Sequence, residues 1–156
     1  MNPTQPLLTL LAHVERERDA AMAEAKRVEL EHRKALRQAE QLLGYRRDYE
    51  QRWSSQFGGG GGGIDIVQCY HGFVARLGQA IEAQERVTML AAQRLERAQE
   101  AWQQQEMRAA SVRKLIERRG REQRGADERR EQKLLDEHAA RLLGGRSVGF
   151  GALSTA

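Results

Sequence analysis

Phe57-Gly58-Gly59-Gly60-Gly61-Gly62-Gly63-Ile64 divides the chain into two long stretches of helical composition. Six glycines in a row bury no side chain and lose backbone entropy at every position, so a helix cannot be expected to cross them. The chain is therefore expected to stop being helical over 57–64 and to fold back there. The reading of the fold turns on whether the two flanking stretches are made to pair.

Composition restricts the answer. Of 156 residues, 31% are charged and 5% aromatic, and both prolines, Pro3 and Pro6, precede position 7. This is the composition of long helices rather than of a globule with many turns. Ala, Glu, Gln and Arg dominate, so the burial to expect is a narrow seam between helices. Cys69 is the single cysteine, which excludes an intramolecular disulfide framework. The start, Met1 to Ala12, has no basic n-region and only a short apolar run, so neither a signal peptide nor a membrane span is expected. The default location is the cytosol.

Upstream of the glycines, Pro3 and Pro6 suit a first helical turn and Thr4 is a candidate N-cap. Helix 1 is expected over about 5–56, interrupted only by Gly44, at a cost of about 1 kcal/mol. Counting by sevens gives Leu7, Val14, Ala21, Val28, Ala35, Leu42 and Tyr49, every one apolar or amphipathic. The companion row is weaker. It wanders through Leu10 or Leu11, Ala25, Ala39, Tyr45 and Trp53, with Glu17, Glu24, Glu31 and Gln38 intruding, which predicts a thin seam.

Downstream, Asp65 stands where a carboxylate meets the positive end of a helix dipole. Counting by sevens gives Val67, Val74, Ile81, Thr88, Leu95, Trp102, Ala109 and Ile116. The companions are Tyr70, Leu77, Gln84, Ala91, Ala98, Gln105 and Val112. The pattern then fails at Arg119, Gln123, Ala126, Arg130 and Lys133, although helix-forming residues continue to Leu143. Helix 2 is expected over about 65–143, stopped by Gly144-Gly145, with a disordered tail at 144–156. The two apolar stripes, Leu7–Trp53 and Val67–Ile116, are nearly equal in span on either side of the glycines. The expected fold is all-α: one coiled-coil domain over 1–156, an antiparallel two-helix hairpin with residues 117–143 of the second helix overhanging. The arms would measure about 75 Å and about 120 Å at the helical rise.

The net charge of +4 has one location. Residues 113–133 hold nine Lys/Arg against five Asp/Glu, and the rest of the chain holds seventeen against seventeen. A bare basic helix end is either a solvated charged face or a docking element for an acidic partner. Nucleic acid would be another basic-helix ligand, but no aromatic or motif-level feature accompanies the arginines, and none is expected to bind.

Chemistry finds no foothold. His13, His32, His71 and His138 lack neighbours at metal-ligand spacing. The glycine run matches G-x-G-x-x-G trivially, without the strand and acidic residue of a dinucleotide site. A two-helix seam offers no pocket to desolvate a catalytic group. No enzyme, cofactor or metal is expected. Tyr45, Tyr49, Trp53, Tyr70 and Phe73 flank the glycines and Trp102 lies farther on. They either pack the seam or expose a protein-binding cluster; Phe73, off both rows, is the better candidate for exposure.

Three stretches resemble the FliJ family of flagellar export proteins. One is Gln38-Ala39-Glu40-Gln41-Leu42-Leu43-Gly44-Tyr45-Arg46-Arg47-Asp48-Tyr49-Glu50-Gln51-Arg52. The next is Tyr70-His71-Gly72-Phe73-Val74-Ala75-Arg76-Leu77-Gly78-Gln79-Ala80-Ile81. The last runs from Glu128-Arg129-Arg130-Glu131-Gln132-Lys133 through Asp136 to Arg141. The resemblance covers about 5–143, and the six-glycine loop departs from it. It implies a non-enzymatic antiparallel coiled coil, similar to the central stalk of rotary ATPases and monomeric in isolation. It further implies binding to the hexameric flagellar export ATPase and to the cytoplasmic part of the export gate, with escort of export chaperones. Such a protein would be cytoplasmic and peripheral at the inner face of the cell membrane. By position, the gate-binding patch falls on Gln38, Leu42, Tyr45, Tyr49, Phe73, Leu77 and Ala80, with Gln84 as a further polar member. ATPase docking falls on the chain ends, where Arg118, Arg119, Arg121, Arg124, Arg129 and Arg130 are the candidates. The alternative is a coiled-coil scaffold or nucleic-acid-associated protein built as a parallel dimer of extended chains.

Overall fold

The computed structural model describes residues 4–57 and 63–147, with side chains to residue 145. Two α-helices account for the described chain, α1 (Gln5–Phe57) and α2 (Ile64–Ser147), and no strand occurs among the described residues. Residues 58–62 of the expected loop, and 148–156 of the expected disordered tail, lie outside them.

Local chemistry accounts for the helix ends. The Thr4 carbonyl accepts from the Leu8 amide at 3.0 Å, which makes Thr4 the N-cap and places Pro6 in the first turn, where no amide proton is required. The Gly63 carbonyl accepts from Ile66 at 3.1 Å and from Val67 at 3.2 Å, opening α2 with Asp65 in its first turn. At the far end α2 passes through Gly144 and Gly145 to Ser147 rather than stopping at the glycine pair. Each glycine costs a helix only about 1 kcal/mol, which weakens the last turn without forbidding it.

The chain divides into two compact units. In the unit of residues 14–108, the two helices pair antiparallel. Trp53 meets Tyr70 and Tyr49 meets Phe73. Farther from the glycines, Gln84 reaches Ala35, Arg18 faces Glu106, and Glu17 faces Arg108. Partner numbers thus climb along α2 as they fall along α1. Val14, Ala25, Val28 and Ala35 of α1 and Leu77, Ile81 and Ala91 of α2 are buried here. Small residues dominate because two helices alone enclose little volume.

The other unit joins residues 4–13 to the stretch from 109 onward. Ala109 and Val112 are its buried residues. Thr4 and Leu8 share a groove with Ile116, Glu117, Gly120, Arg121 and Arg124. From Asp127 to Gly145 every residue is exposed. The bare part of α2 therefore starts at Asp127, not at Glu117. Full burial does end at Val112, but the first turn of α1, from Thr4 to Leu8, lies against about two further turns of α2, from Ile116 to Arg124. Arginine stems can lie along such a groove with their charges in water.

The sevenfold row of α1 contains no exposed residue: Val14, Val28 and Ala35 are buried, and Leu7, Ala21, Leu42 and Tyr49 half-buried. Both rows of α2 are likewise buried or half-buried throughout. The companion row of α1 differs from the expectation. It lies four residues after the sevenfold positions, at Leu11, Arg18, Ala25, His32, Ala39 and Trp53, and is broken once, at the exposed Arg46. Glu24, Glu31, Gln38 and Tyr45, set one residue short of that row, are exposed. Glu24 and Glu31 therefore stand outside the seam, whereas Glu17 is half-buried at its edge and pairs with Arg108 across it.

Candidate functional site

The glycine-proximal end of the 14–108 unit carries an aromatic ladder. On α1, Tyr49, Trp53 and Phe57 recur every four residues, so they share one stripe of the helix. On α2, Tyr70 and Phe73 are three apart and share another. Where the stripes meet, Trp53 stacks on Tyr70 with ring centres 3.9 Å apart, and Phe57 tilts against Trp53 at 4.8 Å. Tyr49 lies parallel to Tyr70 at 5.5 Å and touches Phe73 at 4.3 Å. Each pair contributes about 0.5–1.5 kcal/mol beyond the area it buries. The ladder thus ties α1 to α2 beside a linker that has no side chains of its own.

Of the seven residues assigned to gate binding, the structure brings Tyr49 and Phe73 into contact. Phe73 is 40% exposed and Tyr45 60% exposed, while Gln38 and Ala80 are also open to solvent. Leu42 and Tyr49 are half-buried, and Leu77, at 9% exposure, faces the seam. Gln38, Leu42, Tyr45 and Tyr49 follow one stripe of α1, and Phe73, Leu77 and Ala80 one stripe of α2. The surface available to a partner is therefore Gln38, Tyr45, Phe73 and Ala80, backed by Leu42, Tyr49 and Leu77. Trp102 stands apart from this group. It lines a shallow surface hollow with Gln99, Gln103, Glu106 and Met107.

Gln84 occupies a place that helix periodicity identifies only as polar. Its amide nitrogen donates to the main-chain carbonyl of Ala35 at 3.0 Å and lies 3.4 Å from Oε1 of Gln38. The signal in the sequence was a lone polar residue in the companion row of α2 between Leu77 and Ala91.

The arginine-rich stretch lies on α2 in the other unit. Arg118, Arg119, Arg121, Arg124, Arg129 and Arg130 are all exposed. Arg118 bonds Glu122 one turn on at 3.2 Å, and Arg130 lies 3.9 Å from Asp127. Such exposed pairs hold little energy and yield readily to a competing anion. Arg121 and Arg124 rim the groove whose floor includes Leu8 and Ile116, so apolar surface and positive charge adjoin there.

Among the described residues no group of His, Cys, Asp and Glu is arranged to hold a metal ion. None of the described helices is long and apolar enough to cross a membrane.

Residues 3–147 match the family model of the flagellar FliJ protein, which spans both surfaces. No curated protein and no solved structure gives a significant match to the chain.

Proposed function

Because the chain belongs to the FliJ family of flagellar proteins, and is thereby a component of flagellar export, we propose that it is a non-enzymatic coupling element of the export apparatus. Its arginine-bearing end of α2 docks on the hexameric export ATPase and promotes its assembly and activity. Its aromatic face meets the cytoplasmic part of the export gate. A chaperone-escort role belongs to the same reading. The protein works in the cytoplasm, at the inner face of the membrane that holds the gate.

The single observation that carries this reading is the family match over residues 3–147. The surfaces give it physical sense. Tyr45 and Phe73 offer exposed aromatic area beside a rigid ladder, and aromatic side chains anchor protein interfaces at low entropic cost. The guanidinium groups from Arg118 to Arg130 present donors suited to carboxylates.

Co-purification separates the two contacts. The chain should retain both the ATPase and the cytoplasmic gate fragment from the same organism. Tyr45→Ala should lose the gate fragment and keep the ATPase, and Arg118→Glu with Arg119→Glu should do the reverse. Retention of neither partner by the unaltered chain would refute the proposal.

A further inference from the structure

We infer that Gln84 is a positioning residue: its amide locks the register of α1 against α2 and fixes Gln38 on the face that the gate meets. The first half stands on geometry alone, and the second rests on the proposed function.

Apart from Thr88, the seam residues of α2 around Gln84 are apolar. Leu77 and Ile81 precede it, Ala91 follows, and Ala35 lies opposite, all of them buried. A side-chain amide left unpaired among them would be penalised for its lost hydration. Gln84 avoids this by donating to the Ala35 carbonyl at 3.0 Å. Every helical residue has a carbonyl, but few are open from the side. That of Ala35 is open because residue 35 and the next residue above it on the same stripe, Ala39, are both small. One heptad toward the N-terminus the corresponding pair is Val28 and His32; one heptad the other way it is Leu42 and Arg46. Either slip would press the amide against bulky side chains. The next pair of alanines, Ala21 and Ala25, is two heptads off, about 21 Å along the helix. Thr88, one turn beyond Gln84, turns its hydroxyl onto the Gln84 carbonyl at 2.9 Å and makes no rival demand on Ala35.

The lock matters because the alanine-bearing part of the seam, away from the aromatic ladder, specifies register weakly. Alanines interchange readily along a heptad pattern, and a single polar residue in a helix seam is an efficient way to choose among registers. The same amide nitrogen lies 3.4 Å from Oε1 of Gln38. With its oxygen turned toward the seam, Gln38 presents its amide N–H groups outward as donors.

The test uses Gln84→Met, which keeps length and removes both amide atoms. Spin labels at Glu40 and Glu82, exposed positions on opposite helices, report register in the full chain with Cys69→Ser. The unaltered chain should give one narrow distance. Gln84→Met should keep its helicity and its melting temperature while the distances broaden or gain a second population. A distance distribution as narrow as that of the unaltered chain would overturn the lock. Gate affinity is then measured for Gln84→Met, Gln38→Ala and both together. Gln38→Ala alone should lose about tenfold or less, for one hydrogen-bonding group, and the double variant should lose no more than Gln84→Met alone. Additive losses would overturn the positioning role and make Gln84 a gate contact itself. Failure of the unaltered chain to bind the gate would defeat the proposed function and the Gln38 role, and would leave the distance result to judge the lock.

Discussion

Tyr45 and Phe73 are both exposed aromatics of the candidate gate-binding face but differ in what holds them. Phe73 packs on Tyr49, whereas Tyr45 is 60% exposed and outside the seam rows. Tyr45→Ala should therefore leave the thermal midpoint unchanged and weaken gate binding. Phe73→Ala should weaken binding and also lower stability by about 1 kcal/mol, the value of one aromatic pair. Circular-dichroism melts beside a gate-binding titration check both, and equal midpoint losses would mean that Tyr45 is also packed. On the outer face of α1, Arg27 bridges Glu24 and Glu31. The hydrogen bond from Arg27 holds the Glu24 carboxyl below its ordinary range. A carboxyl lowered in the folded state stabilises above its ordinary value and loses that contribution as pH falls through the lowered one. The midpoint advantage of the unaltered chain over Arg27→Ala should accordingly shrink on acidification, and an advantage that grew would contradict the assignment.

Element by element, the seam is held by few residues. Ile81 is the largest β-branched side chain buried in the 14–108 unit, and Ile81→Ala should cost about 2 kcal/mol, at the low end for such truncations because two helices can close around a gap. Denaturant unfolding measures it. Gly44 sits mid-helix in α1 with nothing within 4 Å of where a Cβ would stand. Gly44→Ala should stabilise by about 0.5–1 kcal/mol on the same assay. The sevenfold row from Leu7 to Tyr49 and both rows of α2 were legible because nearly every repeat holds an apolar or small residue, Gln84 and Gln105 being the exceptions. The companion row of α1 was legible at Leu11, Ala25, Ala39 and Trp53 but not at the two places that Arg18 and His32 occupy. Both are long or flat enough to lay carbon against the seam with the polar end outside, and a hydrophobicity count misses that. The ladder was legible only as a list of aromatics beside the glycines. Its stacking order depends on how far α1 and α2 are offset, which no periodicity fixes. The Gln84 contact was hidden for the same reason, since a main-chain acceptor leaves no trace in the sequence.

Taken whole, the chain concentrates its positive excess in residues 113–133 and balances charge elsewhere. Contacts made by exposed arginines weaken as salt screens them, so ATPase association should fall with ionic strength more steeply than gate association through aromatic residues. Family membership fixes the apparatus in which the chain acts. The coupling role asks more: this chain must change what the ATPase does. The direct measurement is the rate of ATP hydrolysis by the hexameric export ATPase of the same organism, with and without the full chain. The rate should rise with the unaltered chain and return toward the basal value with Arg118→Glu and Arg119→Glu, helicity being unchanged. An identical rate with and without the unaltered chain would contradict the account.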